Sequence, residues 1–390
     1  MTSAPEPDPE RLYSLFLTLA RIDSVSKREA RTARFVRDFF ECHGLECLED
    51  GAGAATGGES GNLFVKVRGR GRVPGGPLVF NAHLDTVEPG AGVEPVEEKG
   101  RFSSGGDTVL GADDKAGVAA ILCAVETVMN SPAGHRALEI VLTVQEELGL
   151  AGARNLDISM IDGRCGVVLD GSGKIGGIVI EAPSHLNMEF VVTGRSAHAG
   201  IEPEKGVNAI ACASRAIASL ELGRLDGGTT TNIGVIEGGR AFNVVPDRAL
   251  VGGEIRSLSE RRLDEERRRM VEAFNGAAAE CGCSVEAKAE QSFKHYRLDE
   301  GSEHLKMIAG AMAGCGIEPF LITSGGGSDA NIFNDAGLCM VNINAGFENA
   351  HSQREYIEKS DLLDMTRLLV VLATNGASDG GARILEAGGR

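Results

Sequence analysis

The order of periodicities along the chain is what most limits its fold. Between residues 62 and 171 short apolar runs alternate with a long helical stretch: "NLFVKVRG", "GPLVFNAHLD", "ADDKAGVAAILCAVETVMN", "ALEIVLTVQEE" and "GVVLDG". Helical spacing also marks residues 10–22 and 28–43. Strands alternating with helices predict an α/β domain on a mostly parallel sheet. Near residue 182 the pattern changes. "SHLNMEFVVTG" reads as a strand, and "PEKGVNAIACASRAIASL" as a helix opening near a Pro. "TTNIGVIEGG" and "RALVGGEIRS" read as a hairpin, and "SERRLDEERRRMVEAFNGAAAECG" as a long helix with Ser257 and Glu260 as a capping box. "CSVEAKAEQ" is a last strand. The order β-α-β-β-α-β is the ferredoxin-like split unit. The alternation resumes with "EHLKMIAGAMAGCG", "PFLITSGGGSD" and "CMVNINAG", and a final helix starts near residue 360. The prediction is an α/β domain in two parts, residues 1–182 and 291–390. An α+β ferredoxin-like domain, residues 183–290, is inserted between them.

Ligands of open α/β sheets collect beyond the carboxyl ends of the strands. Those ends carry a particular set of side chains here. His83 and Asp85 stand two apart in "FNAHLDTVEPG", so both are expected on one side of a strand end. Asp113 follows in "GADDKAG", Glu146 and Glu147 close "EIVLTVQEE", Asp170 closes "GVVLD", and His351 stands in "ENAHSQREY". Each has an ordinary reading. Asp113 or Asp114 would cap a helix, the Glu pair would be a solvated strand end, Asp170 would make a turn, and His351 would lie on the surface. Together they form a donor set of imidazole and carboxylate, suited to divalent metal ions. Neighbours on an extended chain point apart, so Glu146 and Glu147 would do different jobs, one binding metal and one accepting a proton. Asp85 would orient His83 through its carboxylate.

Composition removes several alternatives. The formal net charge of -17 argues against nucleic acid or an anionic membrane surface as partner. The first residues, "MTSAPEPDPE", lack the basic and apolar segments of a signal peptide, which predicts a cytoplasmic protein. The nine cysteines are scattered without CxxC pairs and read as small hydrophobes.

At these residues the chain resembles the M20 metallopeptidases. "HLDTV", "GADDKAG", "EELGLAGA" and "SAHAG" stand in family order, and "TTNIGVIEGG", "GEIRS" and "GGGSDANIF" extend the likeness over residues 10–375. The nearest branch is that of the peptidase T-like tripeptide aminopeptidases. The resemblance implies a zinc-peptidase catalytic domain with an inserted lid that also dimerises. It implies two divalent ions, zinc first, with cobalt or manganese as alternatives. His83 and Asp170 would hold one ion, Glu147 and His351 the other, and Asp113 would bridge them ahead of a cis peptide. Glu146 would be the general base and Asp85 the carboxylate behind His83. His198 would steady the oxyanion, and Asn232, Arg256 and Ser328 would touch substrate. The implied reaction is hydrolysis of a peptide bond in small peptides by a water held between the metals. An N-acyl amino acid deacylase or carboxypeptidase of the same family is the nearest alternative, and a metal-binding protein without turnover a more distant one.

Overall fold

A computed structural model describes residues 4–374. The described residues divide into two compact units, one of residues 4–180, 297–324 and 328–374, the other of residues 181–296 and 325–327.

The first unit is built on a mixed sheet. From one edge the strands run Cys47–Glu49, Leu63–Val67, Leu138–Thr143, Leu78–His83, Cys165–Gly171, Cys339–Asn344 and Gly177–Ala182. Leu138–Thr143, Leu78–His83, Cys165–Gly171 and Cys339–Asn344 are mutually parallel neighbours, while the outer strands pair antiparallel. Parallel strands are covered on both faces, which explains why Leu78–His83 and Leu138–Thr143 are buried at every position. The helix Ala112–Asn130 is buried at every residue from Ala112 to Val125. Its small side chains (Ala116, Gly117, Ala119, Ala120, Ala124) let it pack between the sheet and the helices Pro9–Ala20 and Lys359–Thr374. Asp8 caps Pro9–Ala20 by accepting the Glu10 N–H at 3.0 Å.

The second unit has the predicted β-α-β-β-α-β order. Its antiparallel sheet runs Gly223–Arg224, Thr229–Gly238, Arg248–Ser257, Ser184–Thr193 and Ser284–Phe293. The helices Ala209–Ala218 and Glu260–Cys281 contribute Ala213, Cys212, Met270 and Phe274 to a core with Phe190, Val192 and Val251. Phe190 and Phe274 stack with ring centroids 3.9 Å apart and planes within 4°.

Two local expectations are corrected. Ser259, not Ser257, caps the long helix, accepting the Arg262 N–H; Ser257 Oγ instead accepts the Ser259 N–H. The Pro203 segment is a separate single turn, and the following helix starts at Ala209 under an Asn208 cap. All nine cysteines are free thiols. Among the described residues no helix is long and apolar enough to cross a membrane.

Candidate metal centre

His83 is the last residue of Leu78–His83, and it is 1% exposed. Its N–H donates to Asp114 Oδ2 at 3.1 Å. Its ring Nδ1 lies 2.9 Å from the Asp85 backbone oxygen and 3.4 Å from Asp85 Oδ1. The backbone carbonyl, rather than the expected carboxylate, is thus the nearer partner of Nδ1. Nε2 is left facing Asp113 Oδ1 at 3.1 Å and Asp170 Oδ1 at 3.7 Å.

The Asp pair splits its duties. The peptide between Asp113 and Asp114 is cis, and neither residue has helical φ/ψ. Asp114 Oδ1 accepts the Gly117 N–H at 3.1 Å, so Asp114 caps the regular part of the helix. Asp113 is freed to face the imidazoles. Gly111 permits this bend: its φ is +73°, and a Cβ there would meet the Thr86 methyl at 3.0 Å.

Glu146 and Glu147 are not on a strand. Leu138–Thr143 ends earlier, Gln145 is left-handed with φ +52°, and Glu146–Leu148 is a 3₁₀ turn. Carboxylates hold this turn by its backbone. The Gln145 N–H donates to Glu29 Oε1 at 3.2 Å, Glu146 N–H to Asp85 Oδ1 at 2.9 Å, and Glu147 N–H to Asp85 Oδ2 at 3.2 Å. Ser26 Oγ donates to Asp85 Oδ2 at 2.7 Å. The Asp85 carboxylate therefore clamps the Glu pair, while its carbonyl holds the His83 ring.

His351 closes the site from a turn with left-handed backbone at Asn349 and His351, φ +56° and +60°. Its Nε2 lies 2.8 Å from Glu147 Oε1 and 3.3 Å from Asp113 Oδ2. The two oxygens of Asp113 thus face different imidazoles. Among the described residues three sets of donor atoms lie, within each set, no more than 4.8 Å from one another: His83, Asp113 and Asp170; His83, Glu146 and Glu147; Asp113, Glu147 and His351. Oxygen and imidazole donors without thiolate suit zinc, manganese or cobalt, and an Asp shared by two sets suits a pair of ions. The residues present fit such a group.

Crowding of buried acids governs the electrostatics. Burial and the Asp170 charge push Glu146 well above the usual carboxylate range. Burial pushes Asp170 up to about 7 and also raises Glu147 and Asp114. Burial would raise Asp113 too, but hydrogen bonds with His351 and His83 bring it below its ordinary value. The same contacts, Asp113 first and Glu147 next, lift His351 to about 10. Burial opposes protonation of His83, yet hydrogen bonds with Asp113, Asp170 and Asp85 raise it. A site that stabilises positive charge on both imidazoles is one where a cation is favoured.

His198, Asn232 and Arg256 belong to the second unit. His198 is exposed on a loop, and its Nδ1 accepts the Gly200 N–H at 3.2 Å. Asn232 is exposed on Thr229–Gly238. Arg256 is already engaged: it pairs with Glu254 through Nε and Nη2, both at 3.2 Å, and His185 Nε2 approaches the same carboxylate at 2.9 Å. Ser328 is buried in the first unit, where its N–H donates to Asn331 Oδ1 at 3.1 Å. Sequence reasoning missed Glu29 and Glu355, both of which accept backbone N–H groups beside the cluster, while the cap expected of Asp113 or Asp114 falls to Asp114.

Comparison with known proteins adds a lineage to this geometry. The pattern of the M20 peptidase dimerisation domain matches residues 180–280, and that of peptidase family M28 matches residues 62–173. The chain is 38% identical to the uncharacterized protein YqjE of Bacillus subtilis, over 94% of this chain and 99% of that one. A crystal structure of aminopeptidase PepT from Bacillus cereus superposes with a TM-score of 0.83 at 36% identity, covering 94% of this chain and 98% of that chain. A tripeptidase from Staphylococcus aureus gives a TM-score of 0.88 at 32% identity over the same shares.

Proposed function

Because the chain belongs to the M20 family of peptidases, in its peptidase T-like branch, we propose that it cleaves a peptide bond of small peptides, as an aminopeptidase of tripeptidase type. The observation that carries the reading is the division of the Asp113 oxygens between His83 and His351. In this reading His83 and Asp170 would hold one divalent ion, Glu147 and His351 a second, and Asp113 both. Such a pair supplies Lewis-acid polarisation of the scissile carbonyl and acidification of water. Glu146 takes a proton from the attacking water and returns it to the leaving amine, a role that contributes about 10²–10⁴-fold. Its turn is held by two bonds to Asp85, so the carboxylate keeps its aim while it exchanges the proton. His198 steadies the developing oxyanion, and Asn232 binds the peptide backbone. Arg256 serves substrate as one half of its pair with Glu254. Ser328 and the Gly-rich "SGGGSD" loop would lie near the substrate and offer it backbone donors. The match of residues 180–280 to a dimerisation domain supports a homodimer formed through that domain.

The test is hydrolysis of a peptide panel by protein reconstituted with zinc, cobalt or manganese, read by mass spectrometry. Tripeptides with a free amine should lose their first residue, and N-acetylated counterparts should remain intact. Preferential cleavage of the acetylated set would identify a deacylase. Stoichiometric metal with no turnover on any peptide would identify a binding protein.

A further inference from the structure

The turn that carries His351 is fastened to the bend that carries Asp113 by one carboxylate. Glu355 is 1% exposed. Its Oε2 accepts the Gly111 N–H at 2.8 Å, and its Oε1 accepts the Asp113 N–H at 2.9 Å. Both donors sit at the start of a helix, where N–H groups have no intrahelical partner. Glu355 is itself fixed on both sides. Its N–H donates to the Ser352 carbonyl at 3.0 Å, and Ser352 Oγ donates to the Asn349 carbonyl at 2.7 Å, closing the turn around His351. The next residues, Tyr356–Glu358, pair with Arg101–Ser104 in a small sheet.

We propose that Glu355 is a positioning residue that sets the separation of Asp113 and His351, and so the affinity for the ion held by Asp113, Glu147 and His351. The inference rests on the metal reading above. It gives a purpose to a carboxylate that a plain loop would not need. Carbonyls or water can satisfy two helix-start N–H groups, but only a rigid two-oxygen acceptor ties them to a second loop. His83 is held separately, by Asp114 at its N–H and by Asp85 at its ring, so the ion at His83 and Asp170, which would share Asp113 but not His351, depends less on Glu355.

Glu355→Gln keeps the volume but replaces one acceptor oxygen with an NH₂ group that confronts a backbone N–H. Glu355→Asp keeps the charge and withdraws it by one methylene. Zinc stoichiometry and affinity would be measured by elemental analysis and chelator competition, alongside circular dichroism, kcat and KM. Each folded variant should bind one of the two zinc ions at least about tenfold more weakly, the effect typical of losing a residue behind a metal ligand. The second ion should be affected less, KM should stay within about twofold, and kcat should recover as zinc is raised. A residue of merely structural importance would not give zinc-dependent recovery. Wild-type affinity for both ions in a folded variant overturns the proposal, as does failure of both variants to fold. If the wild-type protein itself binds no zinc, cobalt or manganese, the metal reading fails first and separately.

Discussion

Replacing Asp85 by Asn isolates what its carboxylate does. Two backbone N–H groups, those of Glu146 and Glu147, donate to its two oxygens at 2.9 and 3.2 Å, and Asp85 is fully buried. An amide of the same shape offers one oxygen, so one of the two bonds is lost and an N–H faces an NH₂ group. A hydrogen bond to a charged group contributes about 1.5–3 kcal/mol. If that loss falls on the working position of the Glu pair, kcat drops by roughly ten- to 150-fold, since about 1.4 kcal/mol is a factor of ten. If it falls on the fold, it appears as an equal loss of unfolding free energy in urea. The assay is kcat and KM on a cleaved tripeptide at verified metal occupancy, with urea melts of the same protein. Ser26→Ala is the control, because Ser26 Oγ donates to Asp85 Oδ2 without touching the turn. Its effect should be less than half as large in energy. The reasoning is refuted if Asp85→Asn keeps kcat within twofold and melts normally, or if Ser26→Ala does as much damage.

Glu146→Gln should keep its metals, by elemental analysis, and lose at least about 10²-fold in kcat, because it removes a proton acceptor; loss of metal instead would exchange its role with that of Glu147. Phe274→Ala should cost about 3–5 kcal/mol in denaturant melts of the second unit, because Phe274 is fully buried and stacked on Phe190. Glu254 lies below its ordinary 4.5, at about 2, through hydrogen bonds from His185 first and Arg256 next, against opposing burial. A depressed acid stabilises the fold above its ordinary value and loses that contribution as pH falls toward its folded value. Arg256→Ala should therefore lower the melting temperature at pH 7, by an amount that shrinks as melts approach about pH 3; an equal loss at both would discount the pair.

What the sequence made legible depended on which atoms did the work. The alternation of strands and helices and the inserted β-α-β-β-α-β block were readable because hydrophobic periodicity follows burial directly. The convergence of His83, Asp113, Glu147, Asp170 and His351 followed from their positions at strand ends or in the segments that follow them. The conformation of the Glu pair did not follow, because "TVQEE" continues an extended-looking run while Gln145 turns left-handed. Glu29 and Glu355 were invisible because they bind backbone N–H groups far away in sequence, and a backbone donor leaves no trace in residue type. The Arg256–Glu254 pair was readable and passed over: residues two apart on a strand share a face. The shift of a cap from Ser257 to Ser259 reflects the usual uncertainty of helix starts, with the two hydroxyls accepting different N–H groups, those of Ser259 and Arg262.

The place of Cys339–Asn344 in the sheet bears on how the molecule comes to exist. This strand, parallel to Cys165–Gly171, joins the sheet only after residues 181–296 have been made. A ribosome that has synthesised everything up to residue 330 has delivered His83, Asp113, Glu147 and Asp170, but not this strand and not His351. The nascent chain thus lacks one imidazole of the cluster, which follows the strand Cys339–Asn344 out of the ribosome. The long detour costs little, since closure entropy grows only with the logarithm of loop length. It costs less still because the ends of the insertion meet: His295 Nε2 lies 2.9 Å from Glu181 Oε1 within the inserted unit, and in the first unit the Leu298 N–H reaches the Ile180 carbonyl at 2.8 Å. Once that unit has folded, the chain is handed back to the first sheet beside the point where it left.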